Sequence, residues 1–178
     1  MAKLSPSAFL QRYAQECVDA SQGTGIFPSV TIAQAIVESG WGGSIVGNNM
    51  FGIQAHQQSS PYWNGDYVTA NDNGNLRKFR KYATTSDSIK DHTYFILQNG
   101  LYKTALAATT PEEQCRALQA AGYAESQSYA ATLISVINKY NLKEYDTKKK
   151  SMNNKYIIIA MAAVSLIFSA YTIYQNLK

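Results

Sequence analysis

Residues 28–43 read PSVTIAQAIVESGWGG, an apolar helix that ends on one carboxylate and is followed at once by glycines and a tryptophan. Pro28 suits the first helical position, where its missing N–H would be unpaired anyway, and Gly40 suits a left-handed stop. Ile32, Ala35, Ile36 and Ser39 fall at helical spacing, so one face of the segment is expected to be buried. Glu38 sits beside that face in the last turn, where the helix dipole and an apolar wall both disfavour its ionised form. A raised pKa is what a carboxylic acid needs to protonate a leaving oxygen near neutral pH, so the geometry suits a general acid facing a polymer. The competing reading is a solvated glutamate near a helix end.

The rest of the chain supplies a helical frame with one hairpin. Ser5 and Pro6 cap a first helix whose Phe9, Tyr13 and Cys17 share a face. From Gly40 to Asn64 the chain is rich in Gly, Asn, Gln and Ser, as a long ordered loop over a site would be. Tyr67–Ala70 and Leu76–Arg80 flank Asn71-Asp72-Asn73-Gly74, a hairpin signal because Asn-Gly favours tight reverse turns. Ser86 or Asp87 opens a helix through Leu97, and Thr110-Pro111-Glu112-Glu113 opens another that Gly122 ends. A last helix reaches about Tyr140, with Tyr129, Leu133, Val136, Ile137 and Tyr140 on one face.

Residues 156–174 read YIIIAMAAVSLIFSAYTIY without a charge. Nineteen residues at 1.5 Å rise reach about 28 Å, enough to cross a hydrocarbon core. Tyr156, Tyr171 and Tyr174 lie near the ends of this run, and Lys155 and Lys178 lie outside it. The expected organisation is a domain over 1–145, a lysine-rich linker over 146–155, a transmembrane helix over 156–174 and a short tail over 175–178. The expected localisation is therefore a single-pass membrane protein, with the membrane as a partner through the C-terminal helix and an uncertain orientation.

The 178 residues carry a net charge of +4, which favours an anionic wall or membrane surface. The cations form no stripe interleaved with base-stacking aromatics, so nucleic acid is not an expected partner. Cys17 and Cys115 are far apart in helical patterns, which favours buried free thiols and leaves a disulfide open. With only His56 and His92 and no clustered ligands, neither a metal nor any other cofactor is expected.

Asn48-Asn49-Met50-Phe51-Gly52-Ile53-Gln54 follows the Glu38 block. After it come Phe79-Arg80-Lys81-Tyr82, Ser88-Ile89-Lys90-Asp91-His92, and Gly122-Tyr123-Ala124 with Tyr129-Ala130 behind it. These ordered blocks, over roughly residues 5–145, resemble the glucosaminidase family of peptidoglycan hydrolases, which includes autolysins, flagellar-rod hydrolases and phage lysins. The resemblance implies a mainly α (α+β), lysozyme-like helical domain with a small β-hairpin lobe. It also implies endo-β-N-acetylglucosaminidase activity on peptidoglycan glycan strands.

On that resemblance Glu38 is the expected general acid, and Tyr123 matches the family tyrosine across the cleft. Its hydroxyl would orient the substrate N-acetyl group or stabilise charge on the sugar ring. Trp41 is either a core aromatic or a wall that stacks on a sugar. Phe51-Gly52-Ile53 packs the loop under the cleft, with Gly52 allowing close approach of substrate. Asn48 and Asn49 either cap a turn or hydrogen-bond sugar. Where the family usually has Tyr-Ala-Thr-Asp-Pro, this chain has Tyr123-Ala124-Glu125-Ser126-Gln127, so the family aspartate has no counterpart. Arg80 and Tyr82 read as anchors from hairpin to core, and His92 as a core histidine. The second carboxylate of a glycosidase pair is best matched by Asp72 on a shortened hairpin, where an aspartate is also an ordinary turn former. Rival readings are a muramidase or lytic transglycosylase, and an inactive wall-binding module on a membrane anchor.

Overall fold

The computed structural model describes residues 2–56, 59–72 and 74–147. Helix α1 (Pro6–Ala20) begins where Ser5 Oγ accepts the Ala8 N–H at 3.3 Å, with Pro6 in its first turn. It buries Phe9, Tyr13, Ala14 and Cys17. Helix α2 (Pro28–Ser39) is buried on nearly every side, from Pro28 through Ile36 and again at Ser39, rather than along one face. Seven of the twelve residues are apolar, and the buried polar ones are short or hydrogen-bonded side chains: Ser29 bonds to Asp146, Gln34 to Tyr129 and Ser39 to the Ala35 carbonyl, so the helix can sit inside on every side. Val30, Ile32 and Ile36 are 0–2% exposed, each worth roughly 1.5–3 kcal/mol of burial.

The N-terminus of α2 receives its cap from far along the chain. Phe27, the cap residue, makes no side-chain bond there. Asp146 takes that role: Oδ1 accepts the Ser29 N–H at 2.8 Å and Oδ2 accepts the Ser29 hydroxyl at 2.7 Å. Residue 146, read from sequence as the start of the linker, is thus bonded to the central helix. Buried Gln114 ties down the approach to α2, accepting the Phe27 N–H at 2.8 Å and donating to the Gly25 and Ala105 carbonyls. At the other end Gly40 takes φ 54°, ψ 48° and closes α2 on the Ile36 and Val37 carbonyls, the left-handed stop the sequence implies.

Strands β1 (Tyr67–Asp72) and β2 (Asn75–Arg80) form an antiparallel hairpin, with Tyr67 opposite Arg80 and Asp72 opposite Asn75. The ladder runs further into the Asn-Asp-Asn-Gly stretch than its residue types suggest. Only positions 73 and 74 lie between the strands, and Gly74 has φ +86°. Residues 53–55 run along the free edge of β2: the Arg80 N–H donates to the Ile53 carbonyl and the Ala55 N–H to the Lys78 carbonyl, both at 2.9 Å.

Helix α3 (Thr85–Gln98) starts at a reciprocal capping box between Thr84 and Asp87. A single 3-10 turn (Gly100–Tyr102), α4 (Lys103–Leu106), α5 (Pro111–Ala120) and α6 (Tyr129–Lys139) complete the frame. Helix α6 packs on α2 and α5, and α1 packs on α2 and α3. Cys17 and Cys115 are free, buried thiols, and burial pushes both pKa values up.

The expected fold class needs one correction. Among the described residues no helix is long and apolar enough to cross a membrane. The span expected over 156–174 lies outside the described residues. The architecture is accordingly mainly helical with a two-stranded sheet, as a lysozyme-like fold requires, and single-pass membrane localisation and membrane partnership lack support.

Candidate active site

Glu38, in the last turn of α2, is partly buried and meets a residue 91 positions away: the Tyr129 hydroxyl donates to Glu38 Oε1 at 2.7 Å. Behind that bond Gln34, on the same face one turn earlier, donates Nε2–H to the Tyr129 oxygen at 3.2 Å. Burial raises the Glu38 pKa, and the Tyr129 bond pulls the other way. Because the hydroxyl holds Oε1, Oε2 is the carboxyl oxygen that this bond leaves unoccupied. Burial, with Tyr123 and the Glu38 charge beside it, raises the Tyr129 pKa, so its hydroxyl remains a donor.

Tyr123 stacks on Tyr129, ring centroids 5.5 Å apart and planes 21° apart. Its pKa rises well above the ordinary tyrosine value, first through burial and then through the nearby Glu38 charge. The Tyr123 hydroxyl is 2.9 Å from His92 Nε2. His92 is fully buried and stacks on Phe51 with centroids 3.8 Å apart; burial lowers its pKa to about 3, so it is neutral. A continuous row therefore runs from Phe51 through His92, Tyr123 and Tyr129 to Glu38.

The other sequence-predicted residues fall into distinct places. Asn49 is 5% exposed, and its amide is used internally: Nδ2 donates to the Ile53 and Arg80 carbonyls and Oδ1 accepts the Ile53 N–H. It fastens the 49–53 loop to the end of β2. Asn48, at φ +59°, donates to the Tyr82 and Ala83 carbonyls. Gly52, at φ +65°, has open space on its Cβ side. Trp41 lies edge-on to Phe9 at 5.5 Å and to Tyr140 at 4.9 Å, a packed aromatic cluster joining α1, the turn after α2 and the C-cap of α6.

The hairpin is rooted in α3. Asp91 Oδ2 accepts from buried Arg80 at 2.7 Å and from the Tyr82 hydroxyl at 2.5 Å, and Arg80 lies over the Trp63 ring. Arg80 and Tyr82 are thus the anchors expected of them. Asp91 precedes His92, so the contact that fixes the hairpin also fixes the histidine behind Tyr123. Asp72 lies at the opposite, tip end of the ladder, five residues or about 16 Å along β1 from Tyr67 at the root. The described residues include no group of three or more His, Cys, Asp or Glu that could hold a metal ion.

Tyr129 and Gln34 are the site residues that sequence reasoning passed over. A signal existed: Gln34 is the one amide in an apolar run, and its i, i+4 spacing to Glu38 puts both on one face, where a single hydroxyl can meet both.

Comparison with known proteins shows the family. The glucosaminidase family model, described as mannosyl-glycoprotein endo-beta-N-acetylglucosaminidase, matches residues 14–142. Exo-glucosaminidase LytG of Bacillus subtilis is 35% identical over 72% of this chain and 49% of its own length. A probable N-acetylmuramidase of Lactococcus lactis is 32% identical over 84% and 37%. The chain thus spans about half or less of these curated relatives. The glycoside hydrolase domain of Salmonella typhimurium FlgJ superposes with a TM-score of 0.66 at 27% identity, covering 85% of this chain and 98% of that one. The catalytic domain of the Listeria monocytogenes autolysin Auto gives 0.67 at 29%, covering 82% and 91%. With a family model matched over most of its length and a helical frame that superposes on glycoside hydrolase domains, this chain belongs to the glucosaminidase family of glycoside hydrolases.

Proposed function

We propose that the chain is a peptidoglycan hydrolase, an endo-β-N-acetylglucosaminidase that cleaves the glycan strand after N-acetylglucosamine with Glu38 as general acid. The observation that carries the proposal is the Glu38 carboxyl: burial raises its pKa, and one oxygen is already taken by the Tyr129 hydroxyl. A shift in that direction favours the protonated form that a general acid needs, with Oε2 left to present the proton. As the bond between the anomeric carbon and the glycosidic oxygen breaks, the proton passes to the leaving oxygen. Tyr129 then donates to a full carboxylate, a bond stronger in the transition state than in the ground state.

On the other face of the sugar the nucleophile is the substrate's own N-acetyl oxygen, held in line by Tyr123, rather than Asp72. This assignment rests on the shortened hairpin and on the place of Asp72 at its tip. Water would later open the resulting ring, with Glu38 taking its proton back. The wall polymer is the proposed partner, and neither cofactor nor nucleic acid is required.

The relative named as a probable N-acetylmuramidase gives a second reading of the bond cut. Mass spectrometry of the new reducing ends in digested peptidoglycan separates the two. N-acetylglucosamine there is expected; N-acetylmuramic acid would make the chain a muramidase and its anhydro form a lytic transglycosylase. Failure to cleave would leave a wall-binding module.

A further inference from the structure

Two tyrosines line the Glu38 side of the site, and each has a fully buried nitrogen behind its hydroxyl. Gln34 Nε2 stands 3.2 Å behind Tyr129, and His92 Nε2 stands 2.9 Å behind Tyr123. For Tyr129 the outcome is visible, since it accepts from Gln34 and donates forward to Glu38. For Tyr123 the outcome depends on which nitrogen of neutral His92 carries the proton.

His92 Nδ1 is buried with no hydrogen-bond partner among the described residues. A proton on Nδ1 would strand a buried N–H, while Nε2 only accepted from the tyrosine. A proton on Nε2 leaves Nδ1 as a bare lone pair, and a buried donor without a partner is the rarer and worse case. Phe51, stacked at 3.8 Å and 12°, holds the ring in the plane that aims Nε2 at Tyr123. Burial keeps the ring neutral to about pH 3, so this arrangement persists across the working range.

We propose that His92 is a positioning residue. It donates Nε2–H to the Tyr123 oxygen and thereby turns the tyrosine O–H into the cleft, as a donor to a carbonyl oxygen of the substrate beside Glu38. The inference rests on the glycosidase reading for its consequence in catalysis, but the direction of the hydrogen bond is a property of the free protein. A histidine read from sequence as core filling thus sets the polarity of a site hydroxyl.

The first test uses uncleaved wild-type protein with 15N-labelled imidazole. The Nε2–H tautomer of His92 is expected from pH 5 to 8, and a proton on Nδ1 overturns the proposal whether or not the chain cleaves glycan. The second test is kinetic. His92→Phe keeps the ring stack and removes the donor; it is expected to lower kcat about tenfold to thirtyfold with KM within twofold. Adding it to Tyr123→Phe should change kcat less than threefold further. His92→Gln, which restores an N–H as Gln34 does behind Tyr129, should recover most of the loss. Additive losses, or equal losses in His92→Phe and His92→Gln at equal folded fraction, would mean that His92 is only packing. If wild-type protein cleaves no glycan, the function has failed while the tautomer result still decides the inference.

Discussion

Replacing Tyr129 with Phe removes the hydroxyl that donates to Glu38 and leaves buried Gln34 Nε2 without its acceptor, while the ring keeps its stack on Tyr123. The bond lowers the Glu38 pKa against the larger, opposing effect of burial. Hydrogen bonds to ionised groups contribute about 1.5–3 kcal/mol. Part of that survives when the carboxyl is protonated, so a difference of about 1.4–2 kcal/mol between the two states, or about 1–1.5 pH units, is expected. The sign is upward, since the lost donor favoured the carboxylate. As the proposed general acid Glu38 acts in its protonated form, so the alkaline limb of kcat/KM on purified cell walls should move to higher pH by that amount. On the acid plateau the variant should be about tenfold slower, because the carboxylate that forms in the transition state has lost its donor. An alkaline limb that stays in place or moves to lower pH would refute the role given to Tyr129.

Stability should follow the same proton: the folded pKa of Glu38 lies above its unfolded value, so its contribution is greatest below the unfolded pKa and is lost as pH rises through the folded one. Thermal melts of Glu38→Gln and wild type should therefore diverge above about pH 4.3, with the variant the more stable at neutral pH, and converge below it. Asp91→Asn removes the carboxylate facing buried Arg80 and should cost about 3–5 kcal/mol in denaturant unfolding. Asp146→Ala uncaps α2 at Ser29 and should cost about 1 kcal/mol, read as a lower Tm. Asp72→Asn should leave turnover within about threefold of wild type while Tyr123→Phe costs thirtyfold or more; equal losses would restore the two-carboxylate mechanism.

Local chemistry was legible in the sequence and distant chemistry was not. Pro28 and Gly40 marked the ends of α2, Thr110 marked the start of α5, and Asn-Gly marked the hairpin tip, because each signal acts within a few residues. The position of Glu38 beside an apolar wall followed from periodicity. Its partner did not, since Tyr129 on α6 read as one more apolar face residue and pairs with Glu38 only once α6 lies on α2. Asp146 looked like linker because it precedes a lysine run, yet its bond to Ser29 spans 117 positions. Trp41 had two open readings from its residue type. Its left-handed backbone at φ +62°, which sets its ring between Phe9 and Tyr140, is a property of the turn after Gly40. Asn49 likewise looked able to bind sugar, and its amide is instead occupied by the loop that it closes.

Whether Glu38 supplies the proton is decided by the turnover of purified peptidoglycan by Glu38→Gln, measured beside a thermal melt. The amide keeps the shape and can still accept from Tyr129, but it has no proton to transfer. Turnover is expected to fall by at least a thousandfold, as a general acid worth about 4 kcal/mol in the transition state requires, with a melt at or above that of wild type. Wild-type turnover in a folded Glu38→Gln protein would mean that Glu38 is not the general acid.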